Sequence, residues 1–160
     1  MILLFLDFDG VTHPRTGSQA FLPTCMTALR NAISNYDIHI VVSSTWRETN
    51  RMHELVDYLL PLQKPAVGIT PVINDRFLSA VRHHEIIKYL IDTEQQSRRW
   101  YTIDDCPGFF PSPSESVYFT NPRTSFNEDD MPNFKKLLKS VWYAQQRFIS
   151  TNQTPERARS

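Results

Sequence analysis

Two aspartates with one residue between them follow the first apolar segment of the chain. Residues 2–6 are all apolar, and Asp7 and Asp9 come directly after them. Side chains alternate along an extended strand, so the two carboxylates project to the same side. Gly10 then allows the backbone to turn sharply away. Ligands of open parallel sheets bind beyond the carboxyl ends of the strands. The pair therefore predicts a chemical site there, and two solvated aspartates are the alternative.

Two further apolar segments also end in oxygen-bearing side chains. Residues 38–42 are followed by Ser43, and residues 100–103 are followed by Asp104 and Asp105. If these strands are neighbours of the first one, four carboxylates converge on one crevice. Four negative charges in one place repel each other and raise their own pKa values. A divalent cation resolves this conflict, and ligands that are all oxygen favour Mg²⁺ over Zn²⁺.

This set of side chains fits the transfer of a phosphoryl group. Asp7 could attack phosphorus and form an aspartyl-phosphate. Asp9 could protonate the leaving oxygen and later activate water. Ser43 could donate a hydrogen bond to a transferring oxygen, and a fixed cation is needed for the charge on the transferring group.

Strands and helices alternate along the chain, which predicts an α/β sandwich with a mostly parallel sheet. Apolar spacing predicts helices over about 24–36, 46–60 and 79–94, and a last helix beginning near Pro132. Thr45 and Glu48 form a plausible capping box for the second helix. Two more strands are predicted at 66–69 and 116–120. We predict a single domain over 1–150 and a polar, disordered tail over 151–160.

Composition excludes several classes of protein. Seventeen basic and seventeen acidic residues give no net charge, which argues against a protein that coats nucleic acid. Two cysteines make no disulfide framework. The apolar start is too short for a signal peptide, and no apolar segment is long enough to cross a membrane. These observations predict a cytoplasmic protein, and they leave its oligomeric state unknown.

The chemical residues also carry a family resemblance. The stretch Asp7-Phe8-Asp9-Gly10-Val11-Thr12 resembles the first motif of the haloacid dehalogenase (HAD) superfamily, Ser43 its second and Asp104-Asp105 its acidic fourth. Small HAD-like domains of bacteria and phages, some linked to RNA repair, are the most similar. That likeness rests on 7–14, Ser43-Ser44-Thr45-Trp46-Arg47, Glu85-Ile86 and Trp100.

The resemblance implies a three-layer, Rossmann-like fold, Mg²⁺ and a phosphatase that acts through an aspartyl-phosphate. It implies that Asp7 is the nucleophile and that Asp9 is the acid and base, with the Asp9 carbonyl on the metal. Asp105 would be the direct metal ligand of the acid pair, and Asp104 would support it.

The match is weaker at the third motif, which needs a lysine or arginine. Arg82 fits best and Lys88 second, although each is a solvated helix charge when judged alone. Whether Ser43 or Ser44 contacts phosphate is also open. His13 could touch substrate, but we expect a solvated loop histidine, and we assign Trp46 to the core.

Two other function classes compete with a phosphatase. A signalling receiver domain also uses aspartate and Mg²⁺, but its acid pair lies at the first strand, the reverse of the order here. A non-catalytic HAD-like module that binds or supports a partner remains the alternative.

The lengths of the connections predict the kind of substrate. The connections leave room for at most a very small flap, so we expect a minimal cap or none and an open crevice that gives a small substrate few contacts. We therefore predict a phosphorylated nucleotide or nucleic-acid end as substrate. Arg15, Arg47 and Arg76 could supply extra contacts, and solvated charges are the alternative for each.

Overall fold

The computed structural model describes residues 1–140 of the chain. The predicted limit at 150 and the predicted tail lie outside these residues. So do Val141 and Trp142, which the apolar spacing of the last predicted helix would direct inward. The strands are β1 (Ile2–Leu6), β2 (Ile38–Val42), β3 (Ala66–Ile69), β4 (Arg99–Asp104) and β5 (Val117–Phe119). The helices are α1 (Pro23–Ile33), α2 (Met52–Leu59), α3 (Val81–Asp92) and α4 (Met131–Ser140).

The five strands form one parallel sheet in the order β3-β2-β1-β4-β5. The two strands beside β1 are therefore β2 and β4, which precede the predicted serine and acid pair. Leu6 is in register with Val42 on one side and with Ile103 on the other. The three strands consequently end side by side, as they must if the side chains that follow them are to meet in one crevice.

The sheet is buried on both faces. Ile2, Leu4 and Leu6 pack in one apolar cluster with residues of α1 and α4. Leu3 and Phe5 pack in a second cluster with residues of α3. Side chains alternate along a strand, so these two clusters occupy opposite faces of the sheet. The predicted three-layer Rossmann-like sandwich is thus confirmed.

The predicted helix over 46–60 is wrong in its first turns. Thr45–Glu48 is a short 3₁₀ helix, and α2 begins only at Met52. The backbone N–H and the side-chain amide of Asn50 both donate to the Trp46 carbonyl, at 3.0 Å and 2.9 Å, and the extended backbone of Arg51 then separates this turn from α2. The capping side chain is Glu54, which accepts the Arg51 backbone N–H at 2.6 Å. No α-helix N-terminus therefore follows the serine pair directly.

Connections between the strands hold no additional domain within residues 1–140. The longest part of the β2–β4 connection without helix or strand is 70–80. The carboxyl edge of the sheet is therefore not covered by a cap among these residues. None of the described helices is long and apolar enough to span a membrane.

Candidate active site

The three central strands place their following residues side by side. The Asp7 N–H donates to the Ile103 carbonyl at 3.1 Å, and the Ser43 N–H donates to the Leu6 carbonyl at 3.0 Å. Asp7, Ser43 and Asp104 consequently lie in one row across the sheet. All three are buried. The row forms because parallel strands that start in register also end together.

Asp7, Asp104 and Asp105 form a buried acid cluster. Each offers a carboxylate oxygen, and these oxygens lie within 4.8 Å of one another. Asp7 Oδ1 accepts the Phe8 N–H at 2.9 Å, and Asp104 Oδ1 accepts the Cys106 N–H at 2.8 Å. Backbone amides thus fix the orientation of two of the three carboxylates.

Burial makes the negative charge of this acid cluster costly. Burial raises the pKa of Asp7, although Arg82, the Phe8 amide and the Ser44 side chain each lower it. Burial, followed by the charge of Asp7, raises the pKa of Asp104 to about 8. The cluster therefore has more negative charge than its surroundings stabilise, and a further cation would stabilise it.

The acid cluster has the donors that Mg²⁺ prefers. Its donor atoms are all carboxylate oxygens, with no nitrogen or sulfur. Oδ2 of Asp104 is buried and has no hydrogen-bond partner among the described residues. A buried, unpartnered carboxylate oxygen is costly unless a cation or donor satisfies it. These residues fit a divalent cation.

Asp9 is held apart from the acid cluster by two ring nitrogens. His13 Nε2 lies 3.0 Å from Asp9 Oδ1, and Trp46 Nε1 donates to Asp9 Oδ2 at 3.1 Å. The Asp9 side chain is 40% exposed, whereas that of His13 is 6% exposed. The expectation of a solvated His13 is therefore wrong. Trp46 packs partly against the core, as predicted, but its contact with Asp9 was missed. The contact between Asp9 and His13 did have a signal in the sequence, because the two residues lie four positions apart.

A groove of about 530 Å³ opens beside Asp9. Trp46 forms one side of it, and the other lining residues are Thr45, Glu48, Thr49 and Asn50. None of the lining residues carries a positive charge. A group in contact with Asp9 would therefore extend into a groove with an aromatic side and several hydrogen-bonding side chains.

Arg82 and Lys88 lie in different surroundings on α3. Arg82 is buried, and its Nε lies 3.8 Å from Oδ2 of Asp104. Nε and Nη1 of Arg82 have no hydrogen-bond partner among the described residues, although the guanidinium stacks over Phe109 at 5.6 Å. Lys88 is exposed and pairs with Asp92 at 2.9 Å. Arg82 is thus the α3 cation beside the acid cluster.

Comparison with protein families gives a match over most of the sequence. Residues 3–131 match the family described as the HAD domain in Swiss Army Knife RNA repair proteins. The chain belongs to this family. The match covers well over half of the 160 residues and includes every residue of the acid cluster, Asp9 and Arg82. Comparison with curated proteins and with solved structures gave no match.

The two serines of this HAD domain have different partners. The Ser43 hydroxyl is buried and has no hydrogen-bond partner among the described residues. The Ser44 side chain lowers the pKa of Asp7 by a hydrogen bond and also accepts the Trp46 N–H at 3.4 Å. Ser44 is therefore occupied within the protein, and Ser43 has a donor to spare.

The three arginines predicted as substrate contacts also differ. Arg15 forms a two-point ion pair with Asp105, and Arg76 is exposed. Arg47 is buried and pairs with Glu85 at 2.7 Å. Its guanidinium also donates to the backbone carbonyls of Ser43, Ser44, Thr70 and Pro71. The expectation of a substrate contact or a solvated charge at Arg47 is therefore wrong, because its donors hold the ends of β2 and β3 together.

Proposed function

We propose that this HAD domain is a Mg²⁺-dependent phosphohydrolase that acts through an aspartyl-phosphate. The observation that supports this most directly is the position of the Asp7 carboxylate. It lies in a buried acid cluster, and its pKa is lowered by Arg82, two of whose nitrogens have no hydrogen-bond partner among the described residues. Such a site combines a nucleophile with a fixed positive charge for a phosphate.

In the first step, a carboxylate oxygen of Asp7 attacks phosphorus. A bond forms between that oxygen and phosphorus, and the bond from phosphorus to the leaving oxygen breaks. Asp9, in its protonated form, gives its proton to the leaving oxygen. Its contacts with His13 and Trp46 hold both carboxyl oxygens in place.

In the second step, Asp9 acts as a base. It takes a proton from a water molecule, and the oxygen of that water attacks phosphorus. The bond to Asp7 breaks, which releases inorganic phosphate and restores the carboxylate. One residue serves as acid and then base because the first step leaves it deprotonated.

The other buried polar groups stabilise charge on the transferring group. Among residues 1–140, the buried Nε and Nη1 of Arg82 and the buried hydroxyl of Ser43 have no hydrogen-bond partner. Each can donate to a phosphate oxygen from a buried, fixed position, and fixed donors of this kind stabilise the charge that develops during the transfer. Asp7, Asp104 and Asp105 would hold Mg²⁺, with the Asp9 carbonyl as a further proposed ligand. When bound, Mg²⁺ screens the charge between the carboxylates and the phosphate.

We further propose that the substrate is a phosphorylated nucleotide or nucleic-acid end. Three observations support this choice. The described residues contain no cap, the groove beside Asp9 is large and has one aromatic side, and the family description refers to RNA repair. An open site favours a substrate that brings binding energy from parts remote from the phosphate. The cytoplasmic location stays a prediction.

The first experiment tests the nucleophile. Hydrolysis of an aryl phosphate with Mg²⁺ should be lost in Asp7→Asn, with melting temperature retained. The matched control is Asp57→Asn, an exposed aspartate on α2, which should behave like wild type. A folded and active Asp7→Asn protein would exclude the covalent mechanism. A wild-type protein that binds Mg²⁺ but hydrolyses no phosphate would favour the non-catalytic module.

The second experiment tests the substrate class. We expect kcat/KM to be highest for a 5′- or 3′-phosphorylated oligonucleotide, lower for the matching mononucleotide and lowest for a hexose phosphate. Highest efficiency on the hexose phosphate would contradict the open-site argument. Chelation of the metal should abolish all three activities and lower the melting temperature, because Mg²⁺ binds the folded state.

A further inference from the structure

Arg15 binds one carboxylate of the acid cluster from outside. Its Nε lies 2.5 Å from Asp105 Oδ2, and its Nη2 lies 2.8 Å from Oδ1. The Asp105 side chain is fully buried, whereas the Arg15 side chain is 50% exposed. Both carboxylate oxygens are therefore engaged by one half-exposed guanidinium, in the two-point geometry that makes such pairs strong.

The same carboxylate belongs to the group that fits a divalent cation. Asp105 lies with Asp7 and Asp104 in the acid cluster. The two-point pair with Arg15 takes one acceptor position on each oxygen, and Gly10 lies close against Oδ2. A cation at the cluster would therefore share a crowded carboxylate with a second positive charge. Two positive charges bound to the same buried carboxylate, the cation and the Arg15 guanidinium, repel each other strongly.

We propose that Arg15 and a divalent cation compete for Asp105, and that the displaced Arg15 binds the phosphate of the substrate. The first half depends only on cation binding, and the second half rests on the proposed phosphohydrolase function. Arg15 thereby stabilises the acid cluster before the cation binds and becomes a substrate ligand afterwards.

The position of Arg15 allows this exchange without a backbone movement. The Arg15 N–H donates to the Pro122 carbonyl at 3.0 Å, which holds the backbone beside the site. The side chain reaches inward from a half-exposed position, so a change of rotamer can direct it from Asp105 to a group at the opening. A guanidinium binds phosphate in the same two-point way as it binds a carboxylate.

The alternative to competition is that Arg15 orients Asp105 for the cation, as hydrogen-bonded neighbours of metal ligands commonly do. The two roles predict changes of opposite sign when Arg15 is removed. Removal of a competitor tightens cation binding, whereas removal of an orienting group weakens it. A direct measurement of Mg²⁺ binding therefore separates them.

The test for competition is a Mg²⁺ titration followed by melting temperature, which needs no catalytic turnover. Arg15→Gln should lower the half-saturating Mg²⁺ concentration about tenfold, since hydrogen bonds to charged groups have strengths of this order. Arg15→Lys, which keeps the charge without the two-point geometry, should lie between Arg15→Gln and wild type. The control is Arg98→Gln, an exposed arginine next to the opposite end of β4, which should match wild type.

Several results would overturn the competition. An unchanged or higher half-saturating concentration in Arg15→Gln contradicts it, and so does the absence of any Mg²⁺ response in both proteins. A second readout is the melting temperature without Mg²⁺. It should be lower in Arg15→Gln than in wild type, because the acid cluster then loses the positive charge of Arg15.

The test for the phosphate contact is steady-state kinetics on an aryl phosphate at saturating Mg²⁺. Arg15→Gln should raise KM about tenfold with a smaller change in kcat, and Arg98→Gln should change neither. An unchanged KM would contradict the second half of the proposal. Mg²⁺ binding tightened by Arg15→Gln in a protein without phosphatase activity would support the competition and refute the proposed function and the phosphate contact together.

Discussion

The indole Nε1 of Trp46 donates a hydrogen bond to Oδ2 of Asp9 across 3.1 Å, although 37 residues separate the two in the chain. With His13 on the other carboxyl oxygen, this contact fixes both the position and the rotation of the Asp9 carboxyl group. Trp46 follows β2 and Asp9 follows β1, so the contact depends on the pairing of those two strands.

Replacing Trp46 by phenylalanine should impair catalysis more than folding. Trp46→Phe keeps an aromatic ring against Phe8 and Phe21 but removes the donor to Asp9. A hydrogen bond to a charged group contributes about 1.5–3 kcal/mol, so we expect kcat to fall at least tenfold. Steady-state kinetics and thermal melting check this. An unchanged kcat with an unchanged melting temperature would show that Asp9 does not need Trp46.

Gly10 is required next to Asp105. Its φ of +73° lies in the left-handed region, and a Cβ there would collide with the Asp105 carboxylate. Gly10→Ala should therefore displace Asp105, destabilise the protein by about 1–3 kcal/mol and remove most of the rise in melting temperature caused by Mg²⁺. The matched control is Gly108→Ala, whose Cβ would have no atom within 4 Å. Equal Mg²⁺ responses in the two variants would contradict the steric argument.

Arg82 should matter for phosphoryl transfer, whereas Lys88 should not. Arg82→Gln removes the buried cation 3.8 Å from Asp104, and removal of one transition-state donor commonly lowers kcat by about 10²–10³. Lys88→Gln removes an exposed charge from the same helix and should leave kcat unchanged. Arg82→Lys distinguishes charge from geometry and should recover only part of the rate. A greater loss of kcat in Lys88→Gln than in Arg82→Gln would reverse this assignment.

The ion pair of Arg47 and Glu85 should stabilise the fold. Both side chains are almost fully buried, and Glu85 Oε1 also accepts the Ile73 N–H at 3.0 Å. Removing one partner of a buried pair leaves the other uncompensated, so Glu85→Gln and Arg47→Met should each lower the free energy of unfolding by about 3–5 kcal/mol. Urea denaturation measures this directly.

The exposed pair of Lys88 and Asp92 serves as the comparison for this ion pair. Breaking it should cost less than about 1 kcal/mol, because solvent screens both charges. Similar losses of stability at the buried and the exposed pair would contradict the role assigned to Arg47.

The sequence by itself determined the strands, most of the helices and the residues at the strand ends. Apolar segments that end in Asp7, Ser43 and Asp104 predict buried parallel strands with polar side chains at one edge, and the structure has them there. This inference works because strand alternation and the spacing of apolar residues are local properties. The family resemblance depends on the same short stretches, and the family match confirms it.

Tertiary structure alone decided the partners of these residues. Arg15 reaches Asp105 across 90 positions, and Arg47 reaches Glu85 across 38. Three of the four predicted carboxylates share the acid cluster, and the fourth, Asp9, is bound by His13 and Trp46. The contact of Asp9 with His13 has a local spacing of four residues. No local pattern encodes the other contacts, since the order of strands in the sheet and the packing of α3 on one face determine which side chains meet. Two arginines for which the same substrate contact was predicted therefore have different places, one at the opening of the site and the other in the core.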